Sequence, residues 1–531
     1  MSTLPLRGTC VRDGVEFFGG GARFSAVAAA TGERLLPEFA DATVREVNAT
    51  VAAAVAAADT YAAVPREQRA QFLRAIASEL VAAGDALLLR AELETALPRA
   101  RLIHERGRTV FQLETFAKLL DEGSWVDARI DRADETRQPQ RKPDLRAMLV
   151  PMGPVAVFGS SNFPFAYSVA GGDTASALAV GCPVVVKAHP MHPGTSEGVA
   201  RAIVLAMQKC QIPSGAFGLV HGHVHDVGRA LVEHPGIAAV GFTGSVAGGT
   251  ALARIASARR EPIPVFAEMG SVNPVFVLPG ALRERGVSIA AAVASSMLLA
   301  CGQFCTSPGM VLWCEGEGSE EFASKLAASI GSCAPAPMVH PNLAANFARA
   351  VKEVRSLDGV VVRTEVARTG SAPSTAAAAL LVEASAEVVL AEARLREEIY
   401  GPATVAVRCR SAAEMVQIAN ALHGHLTATV HGTERDFLAH AELLSVLRRR
   451  VGRLVHNGVP TGVEVATAMQ HGGPWPSSTD PRFTAVGPRS VLRWVRPLCW
   501  QDAPMASLPP ELREGNPCGI RRTVDGVTAV H

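Results

Sequence analysis

Several short stretches hold residue types capable of covalent chemistry. Gly302-Gln-Phe-Cys305-Thr-Ser-Pro-Gly309 sets one cysteine among small, turn-forming residues after an apolar helical run. A thiol there that faced helix N–H groups would lose its proton readily and become a nucleophile. As a plain core residue it would be inert. Cys301, four residues earlier, reads as helix interior, and a Cys-x3-Cys pair is poor metal-ligand spacing. Phe266-Ala-Glu268-Met-Gly270 ends an apolar run on one carboxylate. In an apolar setting such a group has a raised pKa and can serve as a general base near neutral pH. Ser161-Asn162-Phe-Pro164 closes another apolar run, where open sheets bind ligands and an amide can donate to an oxyanion. Glu398 and Tyr400 lie in Glu397-Glu-Ile-Tyr-Gly-Pro402, a polar turn entering a strand. Taken singly, each is equally an ordinary cap or turn residue.

A glycine loop accompanies them. Val240-Gly-Phe-Thr-Gly-Ser-Val-Ala-Gly-Gly249 follows an apolar strand and opens a helix, a turn that aims N–H groups and the positive helix end at a phosphate. Thr250 and Ala251 stand where a Walker A loop needs Lys and Ser/Thr, and the spacing is not the usual dinucleotide G-x-G-x-x-G. His221, His223 and His225 alternate, which would put three imidazoles on one strand face. They follow a sheet strand and begin a loop with no matching set of carboxylates nearby, so no metal site is expected. His189 and His192 read as loop or ligand-rim residues.

The elements that must position these groups are legible in outline. Ala-rich amphipathic stretches over Val44–Ala62, Arg66–Ala83 and Arg101–Leu120 make the first 140 residues read as mostly helical. From 150 to 280, apolar runs at Pro154–Phe158, Pro183–Lys187, Ala216–Val220, Ala238–Phe242 and Pro274–Leu278 alternate with helical stretches. These are Ser168–Ala179, Thr195–Lys209, Asp226–Glu233 and Gly248–Ser257. That alternation specifies a parallel, doubly wound sheet covered on both faces. Residues 280–480 continue in α/β style, and the Pro-rich tail after 500 wraps a surface.

Length and composition bound the function. The chain has 531 residues, 48% hydrophobic and 19% charged, which is globular and long enough for several domains. Its 51 Lys+Arg against 50 Asp+Glu give no overall pull towards nucleic acid or anionic lipid. Ten cysteines are too sparse for a disulfide scaffold. The N-terminus lacks a secretory h-region, and the most apolar stretch, Val287–Cys301, reads as a buried helix too short to span a bilayer. The expectation is a cytoplasmic protein with free thiols, bound to neither membrane nor nucleic acid.

In order and spacing, these blocks resemble the aldehyde dehydrogenase superfamily over about residues 20 to 505. The matching set is Asn162 in SNFPF, Lys187 in VVVKAHP, FTGS with Gly249, Glu268, Cys305 in GQFCTSPG and Glu398 in EEIYGP. KAHPMHPGTSE, FTGSVAGG, CGQFCTSPG and GRLVHNGVPTGVEVATAMQHGGPWPSSTD are most similar to the 2,5-dioxopentanoate (α-ketoglutarate semialdehyde) subgroup.

The resemblance implies an α/β fold with a Rossmann-type cofactor domain at 1–139 and 157–278. It further implies a catalytic domain at 279–480, and an oligomerisation arm and tail at 140–156 and 481–531, with a strand near Ser490–Val495. It implies that Cys305 attacks the aldehyde, that Asn162 and the Cys305 N–H hold the oxyanion, and that Glu268 activates water against the thioester. Lys187 would touch the adenosine ribose or its 2′-phosphate, Gly244, Ser245 and Gly249 the pyrophosphate, and Glu398 and Tyr400 the nicotinamide side. Pro190, where strict NAD enzymes of the family often carry Glu, favours NADP over NAD, with His225 near the position of a phosphate-gripping arginine. A homodimer or homotetramer is implied. The alternatives are a dehydrogenase of another semialdehyde or of broad or aliphatic range, a cysteine hydrolase, and a silent binding relative.

Overall fold

The computed structural model describes residues 6–366 and 375–530; positions 1–5, 367–374 and 531, which the expected domains include, lie outside the described residues. Three sheets organise the chain. The first has seven strands in the order Val265–Glu268, Ala239–Thr243, Val155–Phe158, Val184–Lys187, Phe217–Val220, Thr9–Arg12 and Val15–Phe18. Its first five strands pair in parallel. They are buried along almost their whole length, as a sheet with helices on both faces requires.

The last two strands of that sheet correct the reading of the N-terminal region as mostly helical. Thr9–Arg12 and Val15–Phe18 form a hairpin turned at Asp13-Gly14, both at positive φ (51° and 72°). A second pair, Arg23–Val27 with Arg34–Ala40, follows before the helices Val44–Ala62, Arg66–Ala82, Gly84–Thr95 and Arg99–Glu122.

The second seven-stranded sheet begins at Val275–Val277, so its first strand precedes the boundary expected at 279. Between its first two strands runs the helix Pro279–Leu298, which by length and composition alone could cross a bilayer, contrary to the sequence reading. Its inward face (Ile289, Val293, Met297) belongs to the core shared with Trp313 and Phe322. The third sheet joins Val495–Gln501, Leu145–Pro151, Arg129–Asp131, Arg521–Val524 and Val527–Val530. Residues 488–493, part of the strand expected at Ser490–Val495, form a 3-10 turn instead, and the strand starts at Val495. The tail packs Leu508, Leu512 and Ile520 onto Val126 and Ile130.

One buried carboxylate ties the N-terminal helices to the cofactor-side sheet. Glu94, fully enclosed, accepts from the Gly194 and Thr195 N–H groups (2.8 Å each) and from Thr195 Oγ1 (2.7 Å), and pairs with Arg90 at 2.9 Å. It therefore fixes the start of the helix Pro193–Lys209, just after Lys187 and Pro190. Replacing it leaves the buried Arg90 guanidinium without its counter-ion and two N–H groups unpaired. Glu94→Ala is expected to lower unfolding free energy by about 3–5 kcal/mol in urea titration, and Glu94→Gln by less.

Candidate active site

A break in the backbone delivers Cys305. After Leu298, Ala300, Cys301 and Gly302 take left-handed angles in succession (φ 49°, 57° and 66°). For the two with side chains this stores strain of about 1–3 kcal/mol each. At Gly302 an added Cβ would meet the Gly401 carbonyl at 2.2 Å, so only glycine fits. Cys301 is thus part of the turn and not helix interior, with its thiol donating to the Ala336 carbonyl at 3.2 Å.

Asn273 then clamps the loop. It is fully buried, and its Nδ2 donates to the Cys305 carbonyl (2.8 Å) and the Ser307 carbonyl (2.9 Å). Its Oδ1 accepts from Ser271 Oγ and Thr427 Oγ1 (2.7 and 3.1 Å).

Glu268 arrives from the other sheet, at the end of Val265–Glu268. Residues 477–479 lie alongside that strand: the Met269 N–H donates to the Ser477 carbonyl (2.8 Å) and the Ala267 N–H to Thr479 Oγ1 (2.9 Å). The same segment presents His471, anchored by its N–H on Thr484 Oγ1 and by its carbonyl under the Ala485 N–H (2.9 and 2.8 Å). His471 Nε2 lies 3.5 Å from Cys305 Sγ and 3.4 Å from Glu268 Oε1.

The electrostatics favour protons on the acids. Burial first, then the neighbouring Glu398 and Asp173 charges, push Glu268 up to about 8. Burial pushes Glu398 up to about 7, against the pull of the Ser271 N–H. The Cys305 thiol is held well above its usual value by desolvation and then by Glu268 and Glu398, with Arg453 pulling the other way. This corrects the expectation of a thiol activated by a helix end: Cys305 sits in a turn leading to the strand Met310–Cys314, and no helix begins there. His471 is pushed down to about 3 by burial and by Arg453, Arg108 and Arg493, and is neutral at physiological pH. Tyr400 is held well above its usual value by burial, then by Glu398, Cys305 and Glu268.

Asn162 is buried nearby, its Nδ2 donating to the Gln303 carbonyl at 2.8 Å; Arg101 donates to the Asn162 carbonyl at 2.8 Å. Arg101 in turn lies over the rings of Phe163 and Phe304, 4.6 and 5.4 Å from their centroids.

The candidate cofactor residues line the carboxyl ends of the parallel strands. Lys187 ends Val184–Lys187; burial lowers its pKa to about 8, partly offset by Asp41, and its ammonium makes no ion pair among the described residues. Pro190 follows, half-buried. Gly244 and Ser245 are exposed at the start of the helix Val246–Ser257, where Ser245 caps the Gly248 N–H at 3.1 Å. Gly249 is buried instead: an added Cβ would strike Met269 Sδ at 2.4 Å, so it lets the helix approach the sheet. Glu398 stands over Gly270, where an added Cβ would meet its Oε2 at 2.4 Å.

The histidine triplet does not share a strand face, because the strand ends at Val220. His221 is buried with Nε2 on the Thr9 carbonyl, His223 pairs with Asp41, and His225 is exposed as the first residue of His225–Glu233. His192 is likewise not at a rim: it is fully buried, 3.0 Å from the Ser160 carbonyl. His471, Asn273 and Arg453 were not among the residues singled out in sequence. His471 and Arg453 do lie within the subgroup-like stretch GRLVHNGVPTGVEVATAMQHGG.

A sequence model of the aldehyde dehydrogenase family matches residues 19–491. The chain is 47% identical to "Alpha-ketoglutaric semialdehyde dehydrogenase 2" of Azospirillum brasilense, over 92% of this chain and 93% of that one. It is 42% identical to an alpha-ketoglutaric semialdehyde dehydrogenase of Acinetobacter baylyi, over 92% of each. Among solved structures, an NADP-dependent glyceraldehyde-3-phosphate dehydrogenase of Bacillus halodurans, complexed with NADP, superposes with a TM-score of 0.78 at 23% identity. That match covers 94% of this chain and all of that one, and it shows the fold.

Asn273 touches none of the reacting side chains, yet it holds the backbone of the loop that carries the thiol. Asn273→Ala is expected to lower kcat by about a hundredfold through misplacement of Sγ. KM should change little. Steady-state kinetics on protein with an unchanged far-ultraviolet circular dichroism spectrum would check this.

Proposed function

The chain belongs to the aldehyde dehydrogenase family, and from that membership we propose that it oxidises α-ketoglutaric semialdehyde (2,5-dioxopentanoate) to 2-oxoglutarate, with NADP or NAD as oxidant. The 47% identity to the A. brasilense dehydrogenase, across nearly the whole of both chains, carries the substrate. The closeness of Cys305 and Glu268, with Asn162 hydrogen-bonded to the Cys305 loop at the Gln303 carbonyl, supports the chemistry.

Cys305 gives up its proton and adds through Sγ to the aldehyde carbon. The Asn162 amide and the Cys305 N–H hold the oxyanion; one such donor is commonly worth about 3 kcal/mol. A nicotinamide dinucleotide held by Lys187, Ser245 and Gly244 would supply the hydride acceptor, and loss of hydride from the Cys305 adduct would leave a thioester on Sγ. Glu268, ionised, takes a proton from water as the water attacks the thioester, and the carboxylate product leaves with Sγ restored. Glu268 also favours hydrolysis over acyl transfer to coenzyme A.

Residues on the cofactor side fit a dinucleotide. Lys187 offers a cation with no ion-pair partner among the described residues, and Ser245 and Gly244 sit at an exposed helix N-terminus suited to a pyrophosphate. NADP is the favoured form: Pro190 puts no carboxylate against a 2′-phosphate, and His225 opens a helix whose positive end faces the same rim. The ten cysteines are all unpaired, in keeping with a cytoplasmic protein. Two or four copies would assemble through the third sheet, whose outer strand Val495–Gln501 has a ladder neighbour on one side only.

The distal end of a keto-acid needs a cation. Arg453 faces Cys305 and Tyr167 electrostatically and keeps a buried Nε without a hydrogen-bond partner; Arg108 lies over the Tyr167 ring. These two would hold the substrate carboxylate.

Reduction of NADP or NAD with 2,5-dioxopentanoate, beside simple aliphatic aldehydes, tests the reading. Cys305→Ala should abolish reduction. Glu268→Gln should keep a single-turnover burst of reduced cofactor and lose steady turnover. Since Glu268 acts as the ionised base and its carboxyl is raised to about 8, kcat of the wild type should climb with pH through a midpoint near 8 and level off above about 9. Arg453→Met should raise KM for the keto-acid aldehyde about ten- to a hundredfold and leave aliphatic aldehydes nearly unaffected. Faster reduction with aliphatic aldehydes than with 2,5-dioxopentanoate would overturn the substrate and keep the chemistry.

A further inference from the structure

The nucleophile and the base share a third neighbour that the aldehyde chemistry leaves without a role. His471 is 1% exposed and Glu268 4% exposed, and the ligand atoms of Cys305, Glu268 and His471 all lie within 4.8 Å of one another. A thiol, an imidazole and a carboxylate are the donors that zinc selects.

Two of the three donor separations fit as well as the types, and the third is no more than 4.8 Å. Zinc bonds of about 2.3 Å to sulfur and about 2.0–2.2 Å to nitrogen or oxygen, at tetrahedral angles, separate neighbouring donors by about 3.3–3.6 Å. The structure has Sγ to Nε2 at 3.5 Å and Nε2 to Oε1 at 3.4 Å. A separate observation points the same way: Glu268 Oε1, facing this cluster, is buried with no hydrogen-bond partner. An orphaned acceptor in a closed site is costly unless something positive meets it.

We propose that Cys305, His471 and Glu268 form an inhibitory site for one soft or borderline divalent cation of the zinc class, with water completing the coordination. On binding, the Cys305 S–H and Glu268 O–H bonds are exchanged for sulfur–metal and oxygen–metal bonds and both protons leave to solvent; nothing is oxidised or reduced. The cation occupies the attacking sulfur and the water-activating carboxylate together, so turnover stops and returns when a chelator removes the metal. The site depends on three side chains and not on which aldehyde the enzyme takes, so it stands or falls apart from the substrate assignment.

The test uses the full-length protein freed of metal with a chelator and titrated with Cd2+, whose bond to thiolate absorbs in the ultraviolet. One equivalent should bind with that absorbance, and Cys305→Ala should lose it. His471→Phe should weaken Cd2+ and Zn2+ binding at least tenfold, as should Glu268→Gln, which keeps the side-chain volume should the histidine variant misfold. Zn2+ should inhibit wild-type cofactor reduction, and a chelator should restore it. An unchanged Cd2+ absorbance in Cys305→Ala would assign the metal to other cysteines and overturn the proposal. So would metal affinity in Glu268→Gln equal to that of the wild type.

Discussion

A buried carboxyl and a half-buried thiol packed side by side resist carrying their charges together, and that constraint governs this protein. Burial and then the Glu268 charge raise the proton affinity of Cys305. Burial and then the Glu398 charge raise that of Glu268 against a lowering hydrogen bond from the thiol, and Glu398 thus adds a third acid to the same small volume. The cations nearby do not cancel them: Arg453 reaches Cys305 only through space, while Arg101 is engaged by Glu105 and by aromatic faces. The resting site is therefore poised on the protonated side. Ionisation becomes favourable when a ligand brings positive charge or when substrate consumes the proton's partner.

Holding such a cluster together demands attachments outside it. Glu268 comes from one seven-stranded sheet and Cys305 from a loop on the other, so their distance is set where the sheets meet. Asn273, on the connection between the Glu268 strand and the second sheet, is anchored by Thr427 in the second sheet while it grips the backbone at 305 and 307. On the opposite flank, residues 477–479 run beside the Glu268 strand and bring His471 down against both groups. The glycines of this segment serve the same end: at Gly473 an added Cβ would collide with the His425 carbonyl at 2.3 Å. None of these contacts performs chemistry, but each removes a direction in which the acids could separate.

How much of this the sequence discloses follows from the range of the interactions. The parallel strands, fully covered, announce themselves as unbroken apolar runs, and Cys305 and Glu268 sit in locally unusual settings of glycine and apolar residues. The two N-terminal hairpin strands were missed although Asp13-Gly14 is a standard type I′ signal; Asp525-Gly526 between Arg521–Val524 and Val527–Val530 is another. The alanine-rich helical stretches that follow from Val44 dominate the pattern of that region. His471, Asn273 and Arg453 have no such local mark. Their significance comes from contacts across 166, 32 and about 150 positions of chain, and no periodicity encodes that.

The thiol's environment inverts the usual picture of a catalytic cysteine. A thiolate kept permanently ready would also be the species that peroxide attacks, since susceptibility to oxidation follows thiolate character and access. Here burial and two carboxyls keep Cys305 protonated in the absence of ligand, so readiness is conditional and the resting nucleophile is shielded. His471, neutral beneath three arginines, adds no standing positive charge that would undo this. The same closeness that suppresses ionisation leaves three donors at metal-binding spacing. A site guarded against oxidants by crowding its acids is, by that crowding, open to a cation small enough to enter and soft enough to displace the protons.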